Sequence, residues 1–115
     1  MNIPAISVVI PCYKTGARAG ILVSEITDAL TSYSRNAFEI IMVVDGSPDD
    51  TWLKVSELAR LNSSVRGINL MRNYGQHSAL LAGIRAAKGD VIVTIDDDLQ
   101  HSPKEIPKLI ENLSD

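Results

Sequence analysis

The sequence is poor in aromatic side chains, which make up 4% of its 115 residues, with one Phe and one Trp among them. Its apolar fraction is nonetheless 45%, so a core has to be assembled from Ile, Leu, Val and Ala, and the length suits one small domain with a single core. Only one cysteine, Cys12, is present. An internal disulfide is therefore excluded, and the chain is compatible with a reducing compartment. Basic residues are not in excess. The net charge of −3 argues against a general nucleic-acid binder, since such proteins present a basic surface to the phosphates. Long apolar runs are missing too. The stretch Ile6–Pro11 is too short for a spanning helix or for the apolar region of a secretion signal, and Met1-Asn2-Ile3-Pro4 carries no basic residue. These absences lead us to expect a soluble, cytoplasmic domain.

What is present alternates. Four runs rich in β-branched residues, Ile6–Ile10, Phe38–Val44, Val65–Leu70 and Asp90–Ile95, are separated by segments of helical spacing. The first, second and fourth runs are almost continuously apolar, as in strands covered on both faces of a parallel sheet. The first helical segment, Ala19–Ser34, puts Leu22, Ile26, Ala29 and Leu30 on one stripe. The second, Asp49–Leu61, is expected to turn Leu53, Val55, Leu58 and Leu61 inward. The third, Gln76–Lys88, is built mostly of small residues that let a helix lie close to a sheet, and a fourth runs from Pro103 to Leu113. Ser47-Pro-Asp-Asp50 and Ser102-Pro-Lys-Glu105 each read as an N-cap serine followed by proline at the first helical position. Gly89 marks the stop of the third helix.

A β-α-β-α-β-α-β-α order implies an α/β fold with a parallel, doubly wound, Rossmann-like sheet and right-handed crossovers. The expected strand order is 3-2-1-4, with the switch point between the first and fourth strands. Ligands of such sheets bind outside the carboxyl ends of the strands, at that crevice. Four segments therefore carry the functional argument: Pro11–Lys14, Asp45–Asp49, Arg72–Gly75 and Asp96–Gln100.

Asp96-Asp97-Asp98 is the most informative of them. Three adjacent like charges repel by roughly 1–4 kcal/mol per close pair at effective dielectrics between water and a protein surface, and a divalent cation offsets that repulsion. Alternate residues of an extended segment share a face, so Asp96 and Asp98 can act together, with the Gln100 amide oxygen two residues on. Such oxygen donors suit Mg²⁺ or Mn²⁺, which often take one or two carboxylates and complete their shell with phosphate oxygens. The plainer alternative is an acidic turn that caps the helix after Ser102.

The other segments are less specific. Asp45 ends the second strand, where it can accept from a nucleobase or ribose, and Gly46 permits close ligand approach; an ordinary Asx turn explains both equally well. Tyr13 can lie along a base while Pro11 fixes the turn, or it can simply be a rim residue. Backbone N–H groups around Gly75, at the start of the third helix, can attract a phosphate that Arg72 neutralises. His77 reads more simply as a surface group than as a general base, Trp52 as packing, and Cys12 as a small packed side chain.

Taken in order, Ser7-Val-Val-Ile-Pro-Cys-Tyr13, Val44-Asp-Gly-Ser-Pro-Asp49, Arg72-Asn-Tyr-Gly-Gln-His-Ser-Ala79 and Asp96-Asp-Asp-Leu-Gln100 followed by Pro103 resemble family 2 glycosyltransferases over essentially the whole chain. The likeness is greatest to the polyprenyl-phosphate branch, which includes dolichol-phosphate mannose synthases and undecaprenyl-phosphate sugar transferases. The resemblance implies a GT-A fold and a nucleotide-diphosphate sugar donor. It also implies a divalent metal, inversion at the anomeric carbon, and a polyprenyl phosphate or cell-envelope glycan as acceptor. Matched by motif, Asp96, Asp98 and Gln100 become metal ligands. Pro11, Tyr13 and Asp45 become nucleotide-sugar contacts, to which the reading of the residues themselves adds Arg72, Gly75 and Asp97. Val44 stands where many members carry a further acid, and Lys14 replaces a usual Asn. The resemblance further implies that residues 1–115 are the donor-binding half, with the acceptor half and any membrane segments lying outside them.

Two other classes compete less well. A signalling receiver domain needs an acid pair after the first strand, where this chain has Pro11-Cys12-Tyr13. A nucleotidyltransferase needs a Gly-rich basic loop there. A module that binds nucleotide without transferring anything remains consistent with the same residues.

Overall fold

A computed structural model describes residues 5–34, 37–99 and 103–113. Strands β1 (Ile6–Cys12), β2 (Phe38–Val44), β3 (Val65–Asn69) and β4 (Val91–Thr94) alternate with helices α1 (Arg18–Ser34), α2 (Thr51–Leu61) and α3 (Gln76–Ala86). A 3₁₀ turn at Pro103–Glu105 then leads into α4 (Ile106–Leu113). The sheet is wholly parallel in the order β3-β2-β1-β4, as the alternation predicts. Because side chains alternate along a strand, each central strand feeds two cores. Ile6, Val8 and Ile10 of β1 and Ile40, Met42 and Val44 of β2 face α1, α2 and α4, where Leu22, Ile26, Leu30, Val55, Ile106 and Ile110 close the larger core. Val9, Ile41 and Val43 face α3 through Ala79.

That second interface is close. A Cβ added at Gly83 would stand 2.3 Å from Val9 Cγ1 and 3.1 Å from Val43 Cγ2. Gly83→Ala gains about 1 kcal/mol of helix propensity, but overpacking of this kind costs about 1–3 kcal/mol, and the clash is with a branched, fully buried side chain. We expect the urea midpoint of Gly83→Ala to fall. A raised midpoint would show that α3 does not sit on β1 as described.

Three expectations need correction. Leu53 and Leu61 are 70% and 65% exposed; the inward face of α2 is instead Thr51, Trp52, Val55, Leu58 and Ala59. The reason is rotational. Leu53 lies about 200° around the helix from Val55, and Trp52 and Val55 both pack against Gly67 of β3, where a Cβ would come within 3.0 Å of each. Ser47 is not the cap of α2. The helix begins at Thr51, and Asp49 Oδ1 accepts from the Thr51 N–H at 3.1 Å. The β4 run, read as covered on both faces, is covered on one. Val91 and Val93 pack on the larger core, whereas Ile92 is 40% exposed and Thr94 is exposed, because α3 lies over β1 and β2 and not over the edge strand.

At the amino end of the sheet, Glu39 accepts from Ser7 Oγ, the Lys88 N–H and Arg66 Nη1, each at 2.7 Å. Burial alone would raise its pKa; those three donors outweigh that effect and hold it below the ordinary carboxylate value. Gly89 belongs to this closure. α3 ends at Ala86 with an extended Ala87, and Gly89 is needed for close approach, since a Cβ there would lie 2.7 Å from Ser7 N. Its role is therefore not that of a left-handed helix cap.

Candidate active site

Described residues of all four functional segments meet at the carboxyl ends of the strands. A cleft of about 460 Å³ opens between the ends of β1 and β4, lined by Pro11, Cys12, Tyr13, Asp45, Asn73, Gly75, Gln76, Asp96, Asp97 and Asp98. This is the switch point, where β1 pairs with β2 on one side and β4 on the other, so the loops leaving β1 and β4 diverge and expose the gap.

The wall beside β2 is built by Asp45 and Gly46. Asp45 is 3% exposed and accepts from the N–H groups of Tyr74, at 2.8 Å, and Gly75, at 3.0 Å. The carboxylate expected to meet a base thus spends both oxygens on the 72–75 loop while also lining the cleft. Gly46, with φ +62, has the Arg72 carbonyl carbon 2.1 Å from where its Cβ would be, and Gly75 has φ +101. Both positions require glycine, the first for space and conformation, the second for conformation alone. Arg72 is not among the lining residues. Its guanidinium lies 5.0 Å from the centroid of the Tyr74 ring, a cation–π arrangement between two exposed side chains. His77 is exposed in the first turn of α3 and does not line the cleft.

The opposite wall is the loop after β4. The chain turns there, with Leu99 at φ +63, yet exposure still alternates, Asp96 and Asp98 being exposed and Asp97 partly buried. Asp96 Oδ1 accepts from Gln76 Nε2 at 2.9 Å. Asp97 instead accepts from Thr15 Oγ1 at 2.5 Å and stands 3.7 Å from Arg18 Nη2, and its backbone carbonyl accepts from Arg18 Nε at 3.0 Å. Asp98 is exposed on the cleft. Gln100, expected as a further ligand, lies outside the described residues, as does Ser102.

The floor is the end of β1. Cys12 is fully buried, and burial pushes its thiol up to about 12, so it is a packed side chain and not a nucleophile. Tyr13 is 39% exposed at the mouth, with Lys14 Nζ 5.5 Å from its ring centroid. Lys14 takes φ +53, a left-handed conformation that Asn tolerates better than Lys, which gives a physical meaning to the departure noted at this position. The loops after β1 and β2 are knitted together. Lys14 N–H donates to Ser47 Oγ at 2.9 Å, and Gly16 N–H to Thr51 Oγ1 at 3.1 Å. Asp49 Oδ1 collects Ser47 Oγ at 2.5 Å and Thr51 Oγ1 at 2.6 Å. These hydroxyl donors lower the Asp49 pKa to about 2. No motif marks Thr15, Arg18 or Thr51, because a lone hydroxyl or a single Arg at a helix start has none; their long-range partners are 35 to 82 residues away.

The family model for glycosyl transferase family 2 matches residues 7–115. The chain belongs to glycosyl transferase family 2. Among curated relatives, an undecaprenyl-phosphate 4-deoxy-4-formamido-L-arabinose transferase of Aeromonas hydrophila is 43% identical over 111 residues, covering 96% of this chain and 34% of that protein. Its Pseudomonas aeruginosa counterpart is 44% identical over 110 residues, covering 95% and 32%. The chain thus spans about a third of the length of these relatives. Among solved structures, a mannosyltransferase from Pyrobaculum calidifontis in complex with GDP-Man and Mn²⁺ superposes with a TM-score of 0.85. It is 23% identical and covers 97% of this chain and 33% of its own. Staphylococcus aureus TarS in complex with UDP superposes at 0.62, with 24% identity over 85% of this chain and 28% of its own. At these identities the superpositions speak for the fold, which is the GT-A sheet that the strand order also gives.

Proposed function

We propose that residues 1–115 form the nucleotide-diphosphate-sugar-binding half of a metal-dependent, inverting glycosyltransferase whose acceptor is a polyprenyl phosphate or a cell-envelope glycan. The supporting observation is the convergence of Asp96, Asp98, Tyr13 and the Asp45-pinned loop on one cleft at the β1/β4 switch point. Among the described residues, no three His, Cys, Asp or Glu side chains are grouped to hold an ion by themselves. Mg²⁺ or Mn²⁺ does not require such a group, because these ions accept one or two carboxylates and take the remaining oxygens from a diphosphate. Asp96 and Asp98 would hold the ion, with Gln100 as a further donor, and when bound it would supply positive charge to the leaving nucleoside diphosphate.

The remaining work falls to the chain itself. Tyr13 offers a ring face at the mouth, and Pro11 fixes the strand end behind it. Gly75 brings backbone close to the ligand, while Asp45 holds that loop in place. Asp97 lines the same cleft, whereas Arg72, held over Tyr74, is not assigned to the donor. A phosphate acceptor is already an anion near neutral pH, so this half need not supply a strong base, in keeping with the absence of His77 from the cleft lining. Among the described residues no helix is long and apolar enough to cross a membrane. We assign the activity to the cytoplasm or the cytoplasmic face of the membrane, with attachment through segments outside these residues.

Because the chain spans about a third of its relatives, a second reading is that it binds nucleotide but transfers nothing alone. Titration calorimetry with UDP and GDP, with and without Mn²⁺, tests the shared core of both readings. We expect one nucleotide to bind at least about tenfold, or ~1.4 kcal/mol, more tightly with Mn²⁺, and Asp96→Ala and Asp98→Ala to abolish that gain. Equal affinity in all three proteins sinks the assignment. Turnover of a nucleotide sugar by the chain would then exclude the binding-only reading.

A further inference from the structure

Asp97 stands between the two carboxylates assigned above to the cation, yet its contacts run toward protein. One oxygen, Oδ2, accepts from Thr15 Oγ1 at 2.5 Å and, over a longer 3.4 Å, from the Tyr13 N–H, and it faces Arg18 Nη2 at 3.7 Å. Thr15 is 2% exposed and therefore has little solvent with which to exchange this bond. Arg18 grips the same residue a second time, donating from Nε to the Asp97 carbonyl at 3.0 Å, while its Nη2 reaches the Lys14 carbonyl at 3.5 Å.

A second observation points the same way. Arg18 opens α1, and the first turn of α1 holds no acidic residue. A cation at a helix N-terminus meets the positive end of the helix dipole and is disfavoured there. The carboxylate seen to compensate it comes from the loop after β4, 79 residues away in sequence. Arg18 and Asp97 therefore make sense together.

We propose that Asp97 is a positioning residue. It straps the loop after β4 to the β1–α1 loop through Thr15 and Arg18, and so presents its neighbours Asp96 and Asp98 to the cleft. The Arg18 guanidinium beside Asp97 also partly offsets the repulsion among three adjacent negative charges in that loop. The consequence for ligand binding rests on the function proposed above; the strap itself does not.

The test compares the wild-type chain with Asp97→Ala, Asp97→Asn and Thr15→Val in two measurements: UDP affinity with Mn²⁺, and amide hydrogen exchange. β2 amide protection establishes that each variant is folded. We expect Asp97→Ala and Thr15→Val each to weaken UDP–Mn²⁺ binding by about tenfold, the scale of one hydrogen bond to a charged group. Asp97→Asn should stay within about threefold, because its amide oxygen still accepts from Thr15. A carboxylate that ligated the cation itself would give the reverse, with Asn as damaging as Ala and Thr15→Val silent, and that pattern overturns the proposal. Should the wild-type chain bind no UDP with Mn²⁺, the affinity arm is run with GDP; if neither nucleotide binds, the function reading fails and exchange alone decides. Faster exchange across residues 13–18 and 96–99 in Thr15→Val upholds the strap, and unchanged exchange there refutes it.

Discussion

Gly46→Ala should lower Tm by roughly 10 °C or more, corresponding to a loss of about 3 kcal/mol or more in a chain of this size. Two costs combine. At φ +62, a side chain costs about 1–2 kcal/mol in the left-handed region. The new Cβ would also stand 2.1 Å from the Arg72 carbonyl carbon and 2.3 Å from Asn73 N. These are backbone atoms, with no rotamer to change, so the 72–75 loop has to move. Gly16→Ala separates the two costs, since Gly16 has φ +52 and nothing within 4 Å of its would-be Cβ. It should lose only the conformational part, about 1 kcal/mol. Equal Tm values for the two variants would show that the 72–75 loop does not rest on Gly46.

Asp45→Ala should cost about 2–4 kcal/mol, from two hydrogen bonds to a charged acceptor. The residue is nearly inaccessible, so water cannot readily replace both bonds, although Gly75 N–H keeps a partner in Asn73 Oδ1 at 2.9 Å. Asp45→Asn is informative because it is nearly the same shape. Its amide has one oxygen, so it can serve Tyr74 or Gly75 but must turn a donor toward the other, and it should recover at most about half the loss. Chemical denaturation measures the cost, and amide exchange at Tyr74 and Gly75 locates it. If Asn proved as stable as Asp, the two-pronged grip on the 72–75 loop would be wrong. If the grip is right, both variants should also widen the cleft wall and weaken nucleotide binding.

The two variants act at one point in the fold, and that point shows how far the sequence could be read. Asp45-Gly46 was visible as a strand end with turn chemistry, and its place at the carboxyl edge followed from the strand order. That Asp45 holds a loop 29 residues further on was not visible, because a carboxylate accepting backbone N–H groups leaves no pattern in the residues that donate them. The same holds for Asp97. Period-two alternation predicted that Asp96 and Asp98 share a face, and both are exposed on the cleft; what it could not show is that Asp97 between them is held by Thr15 and Arg18. Arg72 was expected at a phosphate, and its guanidinium sits over Tyr74 instead. The inward stripe of α2 failed for a packing reason: Trp52 and Gly67 fit one another across the helix–sheet interface, and that fit sets the rotation of the helix.

By itself, the sequence determined the α/β class, the strand order, the family and the end of the sheet where chemistry can occur. These follow from apolar periodicity, chain connectivity and four ordered motifs, all of which are local or follow from chain order. Only the tertiary structure decided which of the cleft acids also tie loops together, which face of β4 stays open, and why glycine stands at residues 46, 67 and 83. Those outcomes depend on atoms brought within a few ångströms by folding across tens of residues, where steric contact and hydrogen-bond saturation act and sequence spacing carries no information.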